Sequence, residues 1–225
     1  MTRRTLPAAA ALATAATLLL TACGGGDDTK STTDPKIPTA PGSHQGKPTS
    51  AAPRPPRSAS SGGGRPKFEF PADVSYVFDW PKTGNAEKDA VLADGEQFIK
   101  AEDFAIVRQD PSQSGYRFYT EGQMTASTAE YIKEYVKAKA RITGTDRYYT
   151  ASVELSGENT ATLSYCEDQS NSFDLYLKTH KIDRTPPKDA KDNFVLYNTA
   201  LRKNHKGVWV TTKLFSSRGS DTCRP

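Results

Sequence analysis

Tyr148-Tyr149-Thr150-Ala151-Ser152-Val153-Glu154-Leu155-Ser156-Gly157-Glu158-Asn159 is where the hydrophobic period of this chain changes. Tyr149, Ala151, Val153 and Leu155 alternate with Thr150, Ser152 and Glu154, the period of two that a half-buried strand requires, and Ser156 to Asn159 supplies a hairpin turn. Downstream the period holds. A second strand sets Ala161, Leu163 and Tyr165 on one face and a third sets Phe173, Leu175 and Leu177 there. A fourth runs from Phe194 to Leu201, and the last from Val208 to Phe215 after a turn at Asn204 to Gly207. Upstream the period is helical. Asn85 caps a predicted helix reaching about Arg108, with Val91, Leu92, Gly95, Phe98, Ile99, Ala105 and Ile106 on one stripe, and Asp110-Pro111 ends it. Tyr116 to Gln123 reads as a short second helix. Ser127-Thr128-Ala129-Glu130 is a capping-box pattern opening a third, which runs to about Ala140 and breaks near Gly144. Ahead of all of them, Val74 to Trp80 is extended and enters a turn at Pro81-Lys82-Thr83-Gly84. Two to three helices followed by a meander of strands predict an α+β domain, with the helices covering one face of a strongly bent antiparallel sheet.

This order and length resemble the cone-shaped NTF2-like domain over nearly all of residues 68–225. Trp80-Pro81-Lys82-Thr83-Gly84 and Gly144-Thr145-Asp146-Arg147-Tyr148-Tyr149 are similar to segments of actinobacterial lipoproteins with that fold. The resemblance implies a pocket between the helices and the concave sheet, used for catalysis in some members and for binding or assembly in others. Fold alone does not choose among these.

The first 67 residues carry a different message. Arg3 and Arg4 precede an apolar run from Pro7 to Leu20, too short to span a bilayer, and Leu20-Thr21-Ala22-Cys23 follows. That segment resembles the signal peptide and lipobox of bacterial lipoproteins. The resemblance implies diacylglyceryl modification of the Cys23 thiol, cleavage before it, and a protein held at the extracytoplasmic face of the cell membrane by lipid (palmitate among its acyl chains). Two acyl chains convert marginal membrane binding into stable anchoring. Both a general secretory route and a twin-arginine route fit Thr2 to Leu6. Gly24 to Lys67 is rich in Gly, Pro, Ser and Thr, holds no aromatic residue and cannot build a core, so it reads as a disordered tether. Within it, Gly42 to Lys47 imitates a phosphate-binding loop, but its glycine spacing is one residue short and Pro48 stands where a helix should begin.

Overall charge is a misleading guide to partners. Of 30 basic and 26 acidic residues, nine basic and three acidic lie before Phe68, which leaves 21 and 23 in residues 68–225. A slightly acidic domain on a basic tether excludes nucleic acid as the expected partner and suits an anionic surface beneath it.

With Cys23 assigned to lipid, Cys166 and Cys223 form a pair in an oxidising compartment, and a structural disulfide is the expected reading. No CxxC accompanies them, and His44, His180 and His205 lack metal-ligand spacing, so neither a metal nor a cofactor is expected. No Gly-x-Ser-x-Gly elbow is present. Glu102 falls on the apolar stripe of the first helix, between Phe98, Ile99, Ala105 and Ile106. There it serves as a general base or ligand anchor, or it pairs with Arg141 or Arg147, or helix twist exposes it. Asp146, Arg147 and Tyr149 at the start of the first long strand, with Asp168 beyond Cys166, form either a polar pocket mouth or a surface turn with ion pairs. The aromatics, Tyr119, Tyr131, Tyr135, Tyr165 and Trp209 among them, line a pocket for an apolar or sugar-like ligand or fill the core. The missing catalytic constellation favours a non-enzymatic lipoprotein that binds a small ligand or an envelope protein. A pocket isomerase, dehydratase or hydrolase using Glu102 or Asp146 is the second reading, and a dimeric scaffold joined through the outer sheet face is the third.

Overall fold

Asn85 opens the first helix as its sequence requires: its side-chain oxygen accepts from the Glu87 and Lys88 N–H groups, and helix α1 runs Ala86–Val107. The structure is a computed structural model that describes residues 64–224. The signal segment, the lipobox with Cys23, the tether up to residue 63, His44 and the Gly42 to Lys47 stretch lie outside the described residues.

Strand β1 (Val74–Asp79) precedes α1, and helices α2 (Ser114–Phe118) and α3 (Gln123–Ala138) follow it. Then come β2 (Ala140–Leu155), β3 (Thr160–Tyr176), β4 (Lys181–Asp183), β5 (Phe194–Lys203) and β6 (Trp209–Arg218). They form one six-stranded sheet ordered β1-β2-β3-β5-β6, with β4 beside the far half of β3. The chain is α+β, helices before the long strands, as the change of period predicts. The sheet is not wholly antiparallel, however. β1 pairs parallel to β2, Val74 facing Gly144 and Asp79 facing Tyr149, because the helices between them return the chain in the same direction.

Two glycines show how tightly the layers meet. A Cβ on Gly95 of α1 would come within 2.6 Å of the Leu163 Cδ2 on β3. Gly144, read in the sequence as a break, instead sits inside β2 with φ of 99°, where a Cβ would collide with the Asn171 carbonyl oxygen. Only glycine fits both that dihedral and that approach. The reversal occurs earlier, at Lys139, whose left-handed conformation ends α3 so that β2 starts at Ala140. The third helix also begins four residues ahead of its predicted cap, at Gln123 after Gly122, leaving Ser127 to Glu130 in its interior. The second is shorter than predicted and capped by Gln113.

Val91, Leu92, Gly95, Phe98, Ile99, Ala105 and Ile106 of α1 are all buried, as are Ile132 and Tyr135 of α3. They face Ala151, Val153, Ala161, Leu163, Tyr165 and Leu201 of the sheet. Arg65, which composition places in the tether, belongs to this body. Its guanidinium ion-pairs with Asp94 of α1, a carboxylate only 1% exposed that also accepts the Trp209 N–H at 2.8 Å. Phe68 and Phe70 continue the segment across α1 by packing on Phe104. Cys166 and Cys223 are disulfide-bonded, which holds the C-terminal tail on the sheet face opposite the helices.

Candidate functional site

The inner face of the sheet, the one toward the helices, changes character along β3. Ala161, Leu163 and Tyr165 point inward, and alternation then carries Glu167 and Gln169 inward as well. Asp146 of β2 stands opposite two residues, Gln169 and Ser170, because the register slips between Thr145 and Arg147. This bulge reverses the parity of the rest of β3. Beyond it Ser172 and Asp174 are buried on the inner side, and Phe173 and Leu175 turn outward, where Arg184 lies 4.5 Å over the Phe173 ring. The sequence reading, with Phe173, Leu175 and Leu177 facing the core from a separate strand, is corrected here: one strand spans the region, and its polar residues face in.

Glu167 is the centre of the inner hydrogen-bond network. Its Oε1 accepts from the Tyr148 hydroxyl at 3.0 Å, and its Oε2 accepts from the Tyr197 hydroxyl at 2.8 Å and from Gln169 Nε2 at 2.8 Å. Arg218 of β6 in turn donates to Gln169 Oε1 at 2.9 Å. Aromatic rings tile the face around it. Tyr165 stacks on Tyr197 at 5.0 Å, meets Tyr148 at 6.0 Å and Trp80 at 5.6 Å, and Phe78 stacks on Tyr148 at 4.8 Å. From β1, the Tyr76 hydroxyl donates to Asp103 of α1 at 3.2 Å.

Negative charge converges on this face from helix and sheet together. Burial raises the Tyr165 hydroxyl well above its ordinary pKa, and the charges of Glu167, Glu102 and Asp103 raise it further. Burial again comes first for Tyr197, followed by the Glu167 charge and the neighbouring Tyr165 and Tyr131. Such tyrosines stay protonated and act as hydrogen-bond donors.

The residues singled out in the sequence divide between two faces. Glu102 is half-buried and acts electrostatically on Tyr165, and its neighbour Asp103 is the more deeply buried of the two, at 2%. Asp146 is buried on the inner side. Arg147, Tyr149 and Asp168 belong to the outer face, one position out of phase with Tyr148 and Glu167. Arg147 pairs with Asp79 at 2.7 Å and lies 5.0 Å over the Tyr149 ring, and Arg141 pairs with Asp73 at 2.8 Å. The two arginines considered for Glu102 therefore serve other carboxylates. The Tyr149 hydroxyl donates to the Cys223 carbonyl, and burial, with the Asp168 charge second, raises its pKa. Asp168 Oδ1 accepts the Ser170 N–H at 2.8 Å.

Sequence reasoning misses Glu167, Gln169, Asp103 and Asp174. The signal for the first two is present: they continue the i, i+2 series of Ala161, Leu163 and Tyr165, and only stopping that series at Tyr165 conceals them. Among the described residues no group of three or more His, Cys, Asp and Glu side chains is arranged to hold a metal, and no helix is long and apolar enough to cross a membrane.

No protein-family model matches the chain, and no curated protein matches it. Among solved structures it is similar to a ketosteroid isomerase-like protein from Erwinia carotovora atroseptica SCRI1043, at 14% identity over 60% of this chain and 98% of that one, with a TM-score of 0.41. It is also similar to the intermembrane space region of the chloroplast protein ARC6, at 11% identity over 61% of this chain and 99% of that one, with a TM-score of 0.38. At these identities and scores neither an activity nor a ligand transfers.

Proposed function

We propose that this protein is a lipid-anchored extracytoplasmic lipoprotein whose NTF2-like domain binds a small polar ligand on the inner face of its sheet. The observation that carries this reading is the inverted polarity of β3. A strand that turns Ser172 and Asp174 inward and Phe173 outward lines the interior with polar side chains, and a few inward polar groups set among aromatic rings are what fixes and orients a small polar ligand. Carboxylates from α1, β2 and β3 beside tyrosine rings suit a ligand with positive charge or several hydrogen-bond donors. Lipid on Cys23 would hold that face outside the membrane, at the end of the tether.

Two experiments test the two halves separately. Replacing Cys23 by Ser should release the protein from membranes, and unchanged membrane retention refutes the anchor. A thermal-shift screen of the mature protein against amines, guanidines, neutral polyols and carboxylates should find a stabilising cation whose effect is lost in Glu167→Gln. If Glu167→Gln and Asp146→Asn respond to every compound as the parent does, the inner face is not the site.

One observation favours a second reading, a pocket enzyme of the isomerase, dehydratase or hydrolase kind. Titratable groups from two elements, Glu102 and Asp103 on α1 and Glu167 on β3, act together on Tyr165. Turnover by the purified protein that disappears in a folded Glu102→Ala variant would replace the binding reading with this one.

A further inference from the structure

On the opposite face of the sheet lies a hollow of about 410 Å³, lined among others by Ser152, Glu154, Thr162, Ser164, Asn198 and Phe215. Strand register explains its shape. Ser152 pairs with Ser164, Ser164 with Asn198, and Asn198 with Phe215, so these four form one row across β2, β3, β5 and β6. In the next row Glu154 pairs with Thr162, Thr162 with Ala200, and Ala200 with Lys213. Ser152 and the central strands contribute small side chains, and Glu154 on β2 and Phe215 on β6 rise at the flanks, which leaves a trough crossing the strands. Three inter-strand spacings make it roughly 14 Å long. On the side toward the disulfide, the row Tyr149, Cys166, Leu196 and Ser217 carries the C-terminal tail, so the trough begins at the first uncovered row.

We propose that this trough is a second binding site and that it takes a neutral carbohydrate chain. Its volume is that of a small-molecule site. Its floor offers hydroxyls from Ser152, Thr162 and Ser164 and an amide from Asn198, groups that exchange hydrogen bonds with sugar hydroxyls in either direction. At one end stands Phe215, 68% exposed, the more exposed of two large hydrophobic side chains that reach solvent among the described residues. A phenyl ring in that position offers an apolar platform to the C–H face of a sugar ring. Charge selects against other occupants: Glu154 is the single charged lining residue, and the one cation in the two rows, Lys213, lies at the far edge, so a phosphorylated or polyanionic ligand finds no clamp. An added β-strand would run along a sheet edge rather than across this face. The trough and the inner face are separate sites, on opposite sides of the sheet.

Backbone amide NMR titration of the mature protein with cellotetraose, maltotetraose and chitotetraose provides the test. The expected result is saturable shifts at Ser152, Thr162, Ser164 and Asn198 with at least one of the three. Phe215→Ala should weaken binding about tenfold, while Phe215→Trp retains it and reports it by fluorescence. Glu167→Gln on the inner face should leave the titration unchanged, which separates this site from the other. Absence of shifts with all three sugars, or shifts that Phe215→Ala does not alter, overturns the proposal. So does a concentration-dependent increase in mass abolished by Phe215→Ala, which would make the trough an interface between two copies.

Discussion

Removing the guanidinium of Arg65 should cost more than its place at the edge of the tether suggests. Asp94 is 1% exposed, and without Arg65 it keeps the Trp209 N–H, a neutral donor at 2.8 Å, but loses its countercharge. Breaking a buried ion pair from one side costs about 3–5 kcal/mol, because it strands a charge in the interior. Arg65 is itself 32% exposed, so water reaches the vacated position and a smaller loss, about 2–3 kcal/mol, is expected. For a body of this size, unfolding entropy of about 2 cal/mol/K per residue converts the loss into a melting temperature lower by roughly 6–9 °C. Arg65→Met, which keeps the aliphatic stem, is the variant to melt by circular dichroism, alongside Asp94→Asn and the double substitution. The cycle should return a coupling of about 2 kcal/mol, and a chain beginning at Phe68 should show the same loss as Arg65→Met. A destabilisation below about 0.5 kcal/mol for Arg65→Met would refute the reasoning, since that is the range of an ordinary surface substitution.

Reducing the Cys166–Cys223 bond, or replacing both cysteines by Ser, opens a loop of 57 residues and should lower unfolding free energy by up to about 4 kcal/mol, read as a fall in denaturant midpoint. Gly144→Ala forces a Cβ against the Asn171 carbonyl at a positive φ and should destabilise by about 3 kcal/mol or more, with loss of β1 from the sheet visible in hydrogen exchange. Alkaline titration followed by tyrosine absorbance should show Tyr165 and Tyr197 ionising last. Their folded pKa values lie above the unfolded value of 10.0, so their contribution to stability is full below pH 10 and is lost as pH rises further; Glu167→Gln should bring both ionisations down.

Legibility varies with how local the determining physics is. The Asn85 cap and the apolar stripe of α1 are readable because both depend on residues within a few positions of one another. The period-two run from Ala151 to Leu155 is readable for the same reason, but Tyr149, counted with it, faces the other side of the sheet because the register slips between Tyr149 and Ser152, at Thr150 with its positive φ. The start of α3 is not readable: Ser127 to Glu130 has the composition of a capping box, yet Gly122 takes a positive φ and lets the helix begin earlier. Composition likewise assigns Arg65 to the tether, because its partner Asp94 is 29 residues away.

The candidate site is obscured by a single inserted residue. Up to Gln169, alternation predicts the inner face of β3 correctly, and Glu167 falls on it by counting in twos from Ala161. Past Gln169 the same count assigns the apolar Phe173 and Leu175 to the interior, a hydrophobically plausible and physically reversed answer. What the count cannot contain is the slip opposite Asp146, a property of two strands together rather than of either sequence. Asp146 is a candidate by its charge, yet the register around it also decides that Ser172 and Asp174 join Glu167 on the inner side. Deleting Ser170 should therefore be more informative than any side-chain substitution. It restores simple alternation without moving a side chain to the other face: counting in twos from Gln169 then leaves Ser172 and Asp174 inward, still opposite Gly144 and Ile142, and Phe173 and Leu175 outward. A folded deletion variant should keep the ligand response of the parent, whereas loss of that response would show that the inner face binds through the bulge itself and not through its inward polar residues.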